Sequence, residues 1–138
     1  MVETISYKVK GNISQVVSIY SDLYKFSEHH PLIQRVEKLS SNSKGQLYAI
    51  YEKPFSWLPI NINYRANVTQ KDEFTVDYAL TKIPFTKAYF NYVFTEEAGH
   101  HVHIKLKIEI LSKVIHKRIL LKMMIKAQDK IIDSIINN

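Results

Sequence analysis

The sequence contains no cysteine, which excludes disulfides, thiolate nucleophiles, cysteine-ligated metal centres and thiol redox chemistry together. Glycine is scarce. Gly11, Gly45 and Gly99 stand far apart, so there is no glycine-rich phosphate loop, and no G-x-S-x-G turn presents a serine nucleophile. No run reaches the roughly 18 consecutive apolar residues of a membrane-spanning helix. The N-terminal MVETISYKVK has no basic segment followed by an apolar one. These absences predict a cytoplasmic protein that does not cross a membrane, bind a nucleotide or carry a cofactor.

What is present is a chain of 138 residues, 46% hydrophobic, the size of one ordinary domain that spans residues 1–138 and buries a real core. The formal charge of +6 is concentrated near the C-terminus. Between residues 113 and 130, six basic side chains (Lys113, Lys117, Arg118, Lys122, Lys126 and Lys130) stand against one acid, Asp129. This stripe is either the solvated face of an amphipathic helix or an electrostatic footprint for anionic lipid or nucleic acid. No aromatic residue interleaves with it, which counts against stacking on single-stranded nucleic acid. A transient membrane contact through Lys117, Lys122, Lys126 and Lys130 is the partner it suggests.

The periodicity predicts one long helix over residues 112–138. Ile115, Ile119, Met123, Ala127, Ile131 and Ile135 recur in steps of four, with Leu120, Met124, Ile132 and Ile136 beside them. Upstream, Ile5, Tyr7 and Val9 alternate with polar residues as in a half-buried strand. Asn12 is placed to cap a short helix through Tyr20, and a second short helix spans residues 22–28 and ends before Pro31. Six further strands are expected near residues 33–40, 46–53, 60–69, 74–80, 87–95 and 100–111.

Pairing Phe94 with Val102 and Val68 with Phe74 turns Tyr92, Phe90 and Ala88, and likewise Ala66, Tyr64 and Tyr78, onto one apolar face. That face should meet the long helix. The facing of residues 46–53 stays open, because Tyr48 and Ile50 compete with Leu47, Ala49 and Tyr51.

This order of elements, together with Tyr20-Ser21-Asp22 closing the first helix and the segment Phe26-Ser27-Glu28-His29-His30-Pro31-Leu32-Ile33-Gln34-Arg35-Val36-Glu37, resembles the START-like superfamily. That superfamily includes polyketide cyclases and the Bet v 1-like, SRPBCC proteins. The resemblance implies an α+β helix-grip fold, with a curved antiparallel sheet of about seven strands wrapped around a long C-terminal helix. Two short helices lie between strands one and two. It also implies an apolar cavity, with the proline- and aromatic-containing loops at residues 54–59 and 81–86 as gate and latch.

On this reading the ligand-binding candidates are Tyr48, Phe55, Trp57, Tyr64, Tyr78, Phe85, Phe90, Tyr92, Met123 and Met124, with His29 and His30 at the cavity mouth. Phe55, Trp57 and Phe85 either gate the mouth or fold inward as core, and the His-Pro pair either orients a polar head or stops a helix. His100, His101 and His103 lack a carboxylate or third imidazole in register, so no metal site is expected. The inward faces that can be assigned hold tyrosine hydroxyls and no charged group, and tyrosine is too weakly acidic to act unaided as a general acid or base. No catalytic residue is assigned. The expected function is to bind a lipid, isoprenoid, quinone or polyketide-like aromatic. An aromatase/cyclase-like enzyme and a nucleic-acid- or ribosome-associated protein are the alternatives.

Overall fold

The computed structural model describes residues 2–53, 61–83, 85–112 and 117–136. Strand β1 (Val2–Lys10) is followed by helices α1 (Ile13–Ser21) and α2 (Leu23–His29). Then come strands β2 (Ile33–Asn42), β3 (Gly45–Glu52), β4 (Ile62–Asp72), β5 (Thr75–Ile83), β6 (Thr86–Glu97) and β7 (His101–Ser112), and finally helix α3 (Lys117–Ile136). The strands form one curved antiparallel sheet in the order β1-β7-β6-β5-β4-β3-β2. Only β1 departs from a simple meander, crossing over α1 and α2 to pair with β7.

Alternation decides which face is concave. Tyr64, Ala66 and Val68 on β4, Val76, Tyr78 and Leu80 on β5, and every second residue from Ala88 to Phe94 on β6 are buried. Val102, Ile104, Leu106, Ile108 and Ile110 on β7 complete the floor of the core.

The registers differ from those expected, in each case by an even step. Phe94 faces Ile104 rather than Val102, because β6 and β7 continue to Glu97 and His101 before turning. Val68 faces Tyr78 because β4 and β5 run on to Asp72 and Thr75 through a bulge at Gln70, which leaves Phe74 in the turn and 38% exposed. An even shift preserves the face of every side chain within the strands, so apart from Phe74 the inward set is unchanged.

The open question on β3 resolves in favour of Tyr48 and Ile50, both in the core. Ala49 is buried between them, while Leu47 and Tyr51 are half-buried.

Helices α1 and α2 are each started by an acceptor side chain. Asn12 accepts from the N–H groups of Ser14 and Gln15 at 2.9 and 3.3 Å, and Asp22 from that of Tyr24 at 3.0 Å. They bury Val16, Val17, Tyr20, Leu23 and Phe26 against one end of the concave face.

Helix α3 begins later than the periodicity suggests, since Ser112 is the last residue of β7, and residues 113–116 lie outside those described. Its 20 residues span about 30 Å. The buried stripe is also rotated: Leu121, Ala127, Gln128, Ile131 and Ile132 are buried, whereas Ile119 is 58% exposed and Ile136 is exposed as well. Hydropathy misses this because a polar residue, Gln128, sits at the centre of the stripe at 3% exposure, where its amide oxygen accepts the Tyr92 hydroxyl at 3.1 Å. Tyr7 on β1 donates to Asp129 at 2.7 Å, and His29 Nδ1 lies 2.8 Å from Ser134 Oγ, so both flanks of α3 are tied down. Among the described residues no helix is long and apolar enough to cross a membrane.

Candidate functional site

The concave face of the sheet has an end filled by aromatic rings and an end that carries a carboxyl. At the filled end Tyr20, from α1, is the hub. Its ring centre lies 5.4 Å from Phe26, 4.7 Å from Tyr92 and 5.3 Å from Phe94. Tyr78 joins the cluster at 5.4 Å from both Phe26 and Tyr92, and its hydroxyl donates to the carbonyl of Tyr20. With Tyr92 bound to Gln128, the hydroxyls of both Tyr78 and Tyr92 are committed to the protein itself. Burial raises the pKa of the Tyr20, Tyr78 and Tyr92 phenols, which remain neutral donors at any physiological pH.

The other end lies where β3 finishes and β4 begins. Counting inward from Tyr48 and Ile50 places Glu52 on the concave side, paired with Ile33 on β2 and Ile62 on β4. The Tyr64 hydroxyl donates to Glu52 Oε2 at 2.5 Å. Desolvation raises the Glu52 pKa, and the hydrogen bond from Tyr64 only partly offsets it. Burial likewise pushes the Tyr64 phenol well up, with the charge and hydrogen bond of Glu52 acting in the same direction. Ile33, Ile62, Ile83, Leu120 and Met124 pack on the core here but stay partly exposed, as a rim does.

Glu52 corrects the expectation that the inward faces carry no acid. The alternation of Tyr48, Ile50 and Glu52 contains the signal, and the unresolved facing of β3 concealed it.

The expected candidates fall in different places. Tyr64 is at the polar edge, and Phe90 stands between the two ends, its ring 6.3 Å from that of Tyr92. Tyr48 lies instead by α2, edge-on to Tyr24 at 5.8 Å, its hydroxyl donated to Gln46 at 2.6 Å. Met124 packs on the core and Met123 is half-buried. Phe85 occupies the β5–β6 turn at φ 54° and is 70% exposed, pointing away from the core. Phe55 and Trp57 lie outside the described residues.

His30 sits against Phe26 with ring centres 6.0 Å apart and accepts the Leu32 N–H at Nδ1. Burial lowers its pKa from 6.5 to about 4, so it is neutral. Its ring is half-buried against Phe26, while His29 anchors α3 through Ser134. On the convex face His101 pairs with Glu97 and Lys10, and His103 with Thr95 and Lys8. Among the described residues no three potential ligands gather as a metal site would require.

Among the described residues, grooves open on the surface. One of about 630 Å³ lies at the rim between the β5–β6 turn and the end of β7, lined by Ile83, Phe85, Thr86, Leu111 and Ser112 among others. A second, of about 400 Å³, crosses the convex face by Asp77, Tyr89 and Asn91. A third, of about 360 Å³, lies by Asp22, Lys38 and Gln46. The rim groove is at the same end of the sheet as Glu52, since β3, β5 and β7 all run toward that end.

No family model matches the sequence, and no curated protein does. Solved structures do match. A START superfamily protein from Mycobacterium smegmatis superposes with a TM-score of 0.81 at 11% identity, over 99% of this chain and 94% of that one. The Zhui aromatase/cyclase from Streptomyces sp. R1128 gives 0.78 at 8% identity over 99% and 92%. Ara h 8.0201 gives 0.71 at 16% identity over 99% and 97%. At these identities the likeness speaks to architecture, and the architecture is that of the START-like helix-grip fold.

Proposed function

We propose that residues 1–138 act as one cytoplasmic unit that binds a small apolar molecule between the sheet and α3, with the polar end of the ligand at Glu52 and Tyr64. A lipid, an isoprenoid, a quinone and a polyketide-like aromatic all fit this description. The observation that carries the reading is the Tyr64–Glu52 pair, an inward carboxyl on the concave face whose nearest rim residues remain partly exposed. Apolar burial would supply the affinity and the pair would supply orientation.

Mass spectrometry of small molecules released from the gently purified protein is the direct test, and a protein that carries and accepts no apolar compound would end this reading. Tyr64→Phe is expected to weaken a polar-headed ligand three- to tenfold, the usual loss of about 0.5–1.5 kcal/mol for one hydrogen bond, with the fold intact. Unchanged affinity, measured by isothermal titration, would remove the hydroxyl from the site.

A second reading draws on the same carboxyl. An acid of raised pKa beside a phenol can take and return a proton, which the cyclisation of a polyketide-like substrate requires, and an aromatase/cyclase is among the proteins that share this fold. Turnover that survives Glu52→Gln unchanged would exclude it.

The basic row supports a membrane contact. Arg118, Lys122, Lys126 and Lys130 recur at intervals of four and all are exposed, with exposed Ile119 beside them. Each such charge near an anionic surface contributes about 1 kcal/mol at most, and the Debye length of about 8 Å at physiological salt limits the effect to charges close to the lipid. Reversing Lys122, Lys126 and Lys130, together with Lys117, to glutamate is expected to abolish co-sedimentation with anionic vesicles at low salt. A wild-type protein that ignores such vesicles would make the row a solvated helix face.

A further inference from the structure

We infer that the site selects its ligand by headgroup charge, accepting neutral or cationic heads that donate a hydrogen bond and rejecting carboxylate and phosphate heads. The inference rests on the ligand-binding reading above and concerns which ligands that site admits.

The concave end carries one acid, Glu52, and among the described residues no cation pairs with it; Lys82 and Lys87, which line the rim groove at this end of the sheet, are exposed to solvent. Glu52 Oε2 accepts from Tyr64. No other side-chain hydrogen bond and no ion pair reaches the carboxyl among the described residues. The arginines of the two flanking strands are held on the opposite face of the sheet. Arg35 on β2 lies over the outward ring of Tyr51, 4.0 Å from its centre, and Arg65 on β4 donates to Asn63 at 2.7 Å. The cations of α3 are turned to solvent at Arg118, Lys122, Lys126 and Lys130. His30, beside the mouth, is held neutral by burial.

A carboxylate with one donor has acceptor capacity left over, and the apolar neighbours Ile33 and Ile62 offer it nothing. A ligand hydroxyl or ammonium supplies the missing donor. An anionic head would bring a second negative charge to a partly desolvated one with no cation between them, and like charges in such surroundings repel strongly. If Glu52 takes up a proton instead, its one O–H can serve a single acceptor but still provides no counter-charge. A site built for fatty-acid or phosphate heads would need an arginine or lysine where the structure places Glu52.

Chain-matched probes separate the possibilities. Displacement of Nile red, a neutral dye, by dodecanol, dodecylamine and dodecanoate at pH 8 holds the apolar part constant and varies only the head. Dodecanol and dodecylamine are expected to displace the dye, with dodecanoate at least tenfold weaker. In Glu52→Gln, which keeps the shape of the side chain, the gap between alcohol and acid is expected to narrow at least fivefold, with circular dichroism confirming the fold. Dodecanoate binding as well as dodecanol in the wild type overturns the charge selection and leaves the ligand-binding reading standing. A gap that persists unchanged in Glu52→Gln overturns the assignment to Glu52. Displacement by none of the three overturns the binding reading, and this inference with it.

Discussion

Tyr20→Ala is expected to destabilise the protein by about 3–5 kcal/mol, the range for truncating a large buried aromatic to alanine. Tyr20 is 1% exposed and touches Phe26, Tyr92 and Phe94, rings contributed by α2 and β6. Its removal would therefore open a void where the short helices meet the sheet, rather than trim an edge that could collapse. For a chain of 138 residues this corresponds to a fall in Tm of about 10 °C or more, readable by calorimetry. A loss below about 1 kcal/mol would mean that the cluster is loosely packed and does not close that end of the interior.

The companion variant Tyr78→Phe removes the donor to the Tyr20 carbonyl and is expected to cost about 1 kcal/mol. Because that hydroxyl lies within the aromatic cluster, away from Glu52, the change should leave ligand affinity alone, in contrast to Tyr64→Phe. Equal ligand losses in the two variants would show that the occupied space extends into the aromatic cluster.

The contrast between Tyr64 and Tyr78 also marks how far the sequence could be read. Alternation put both side chains on the concave face, and it succeeded even though the β4–β5 pairing was displaced by four residues, because parity is insensitive to an even slip. The element order, the Asn12 cap and the inward set on β1, β4, β5, β6 and β7 were legible for the same reason: each depends on local chemistry or on period, not on exact partners.

What hydrogen bonds do was not legible. Nothing in the spacing reveals that Tyr78 serves a backbone carbonyl, that Tyr92 holds Gln128, or that Tyr64 meets Glu52 from a neighbouring strand. Gln128 illustrates the cost. Treated as polar and therefore outward, it shifts the expected stripe of α3 toward Ile119, which the structure leaves in solvent. On β3 a run of apolar residues on both faces erased the alternation, and with it the inward placement of Glu52. The aromatics at positions 55 and 57 fall outside the described residues, so their part in a gate remains a proposal.

Acidification is expected to loosen the fold through His30 before the surface carboxylates matter. Burial lowers the pKa of this imidazole from 6.5 to about 4, so over that interval the unfolded chain binds a proton that the folded protein refuses. The His30 contribution to stability is therefore complete above about pH 6.5 and is lost as the pH falls toward 4. About 2 kcal/mol should be gone by pH 5 and about 3 kcal/mol in total. The geometry gives the cause, since Nδ1 accepts the Leu32 N–H and a proton there would turn the acceptor into a donor facing a donor.

His30→Asn can keep an acceptor for that N–H while removing the titration. Its absolute stability will be lower, because it packs less well on Phe26, but its stability should lose the His30-dependent slope between pH 7 and pH 5 in urea titrations. An unchanged slope would place the proton linkage elsewhere.

Glu52 acts with the opposite sign. Its raised pKa means that stability is full below the ordinary carboxylate range and declines as the pH rises through the folded value. Glu52→Gln should accordingly be at least as stable as the wild type at pH 7 and show a flatter profile as the pH rises above the ordinary carboxylate range. A residue whose replacement strengthens the fold while changing which headgroups bind would be one kept for its ligand rather than for the core.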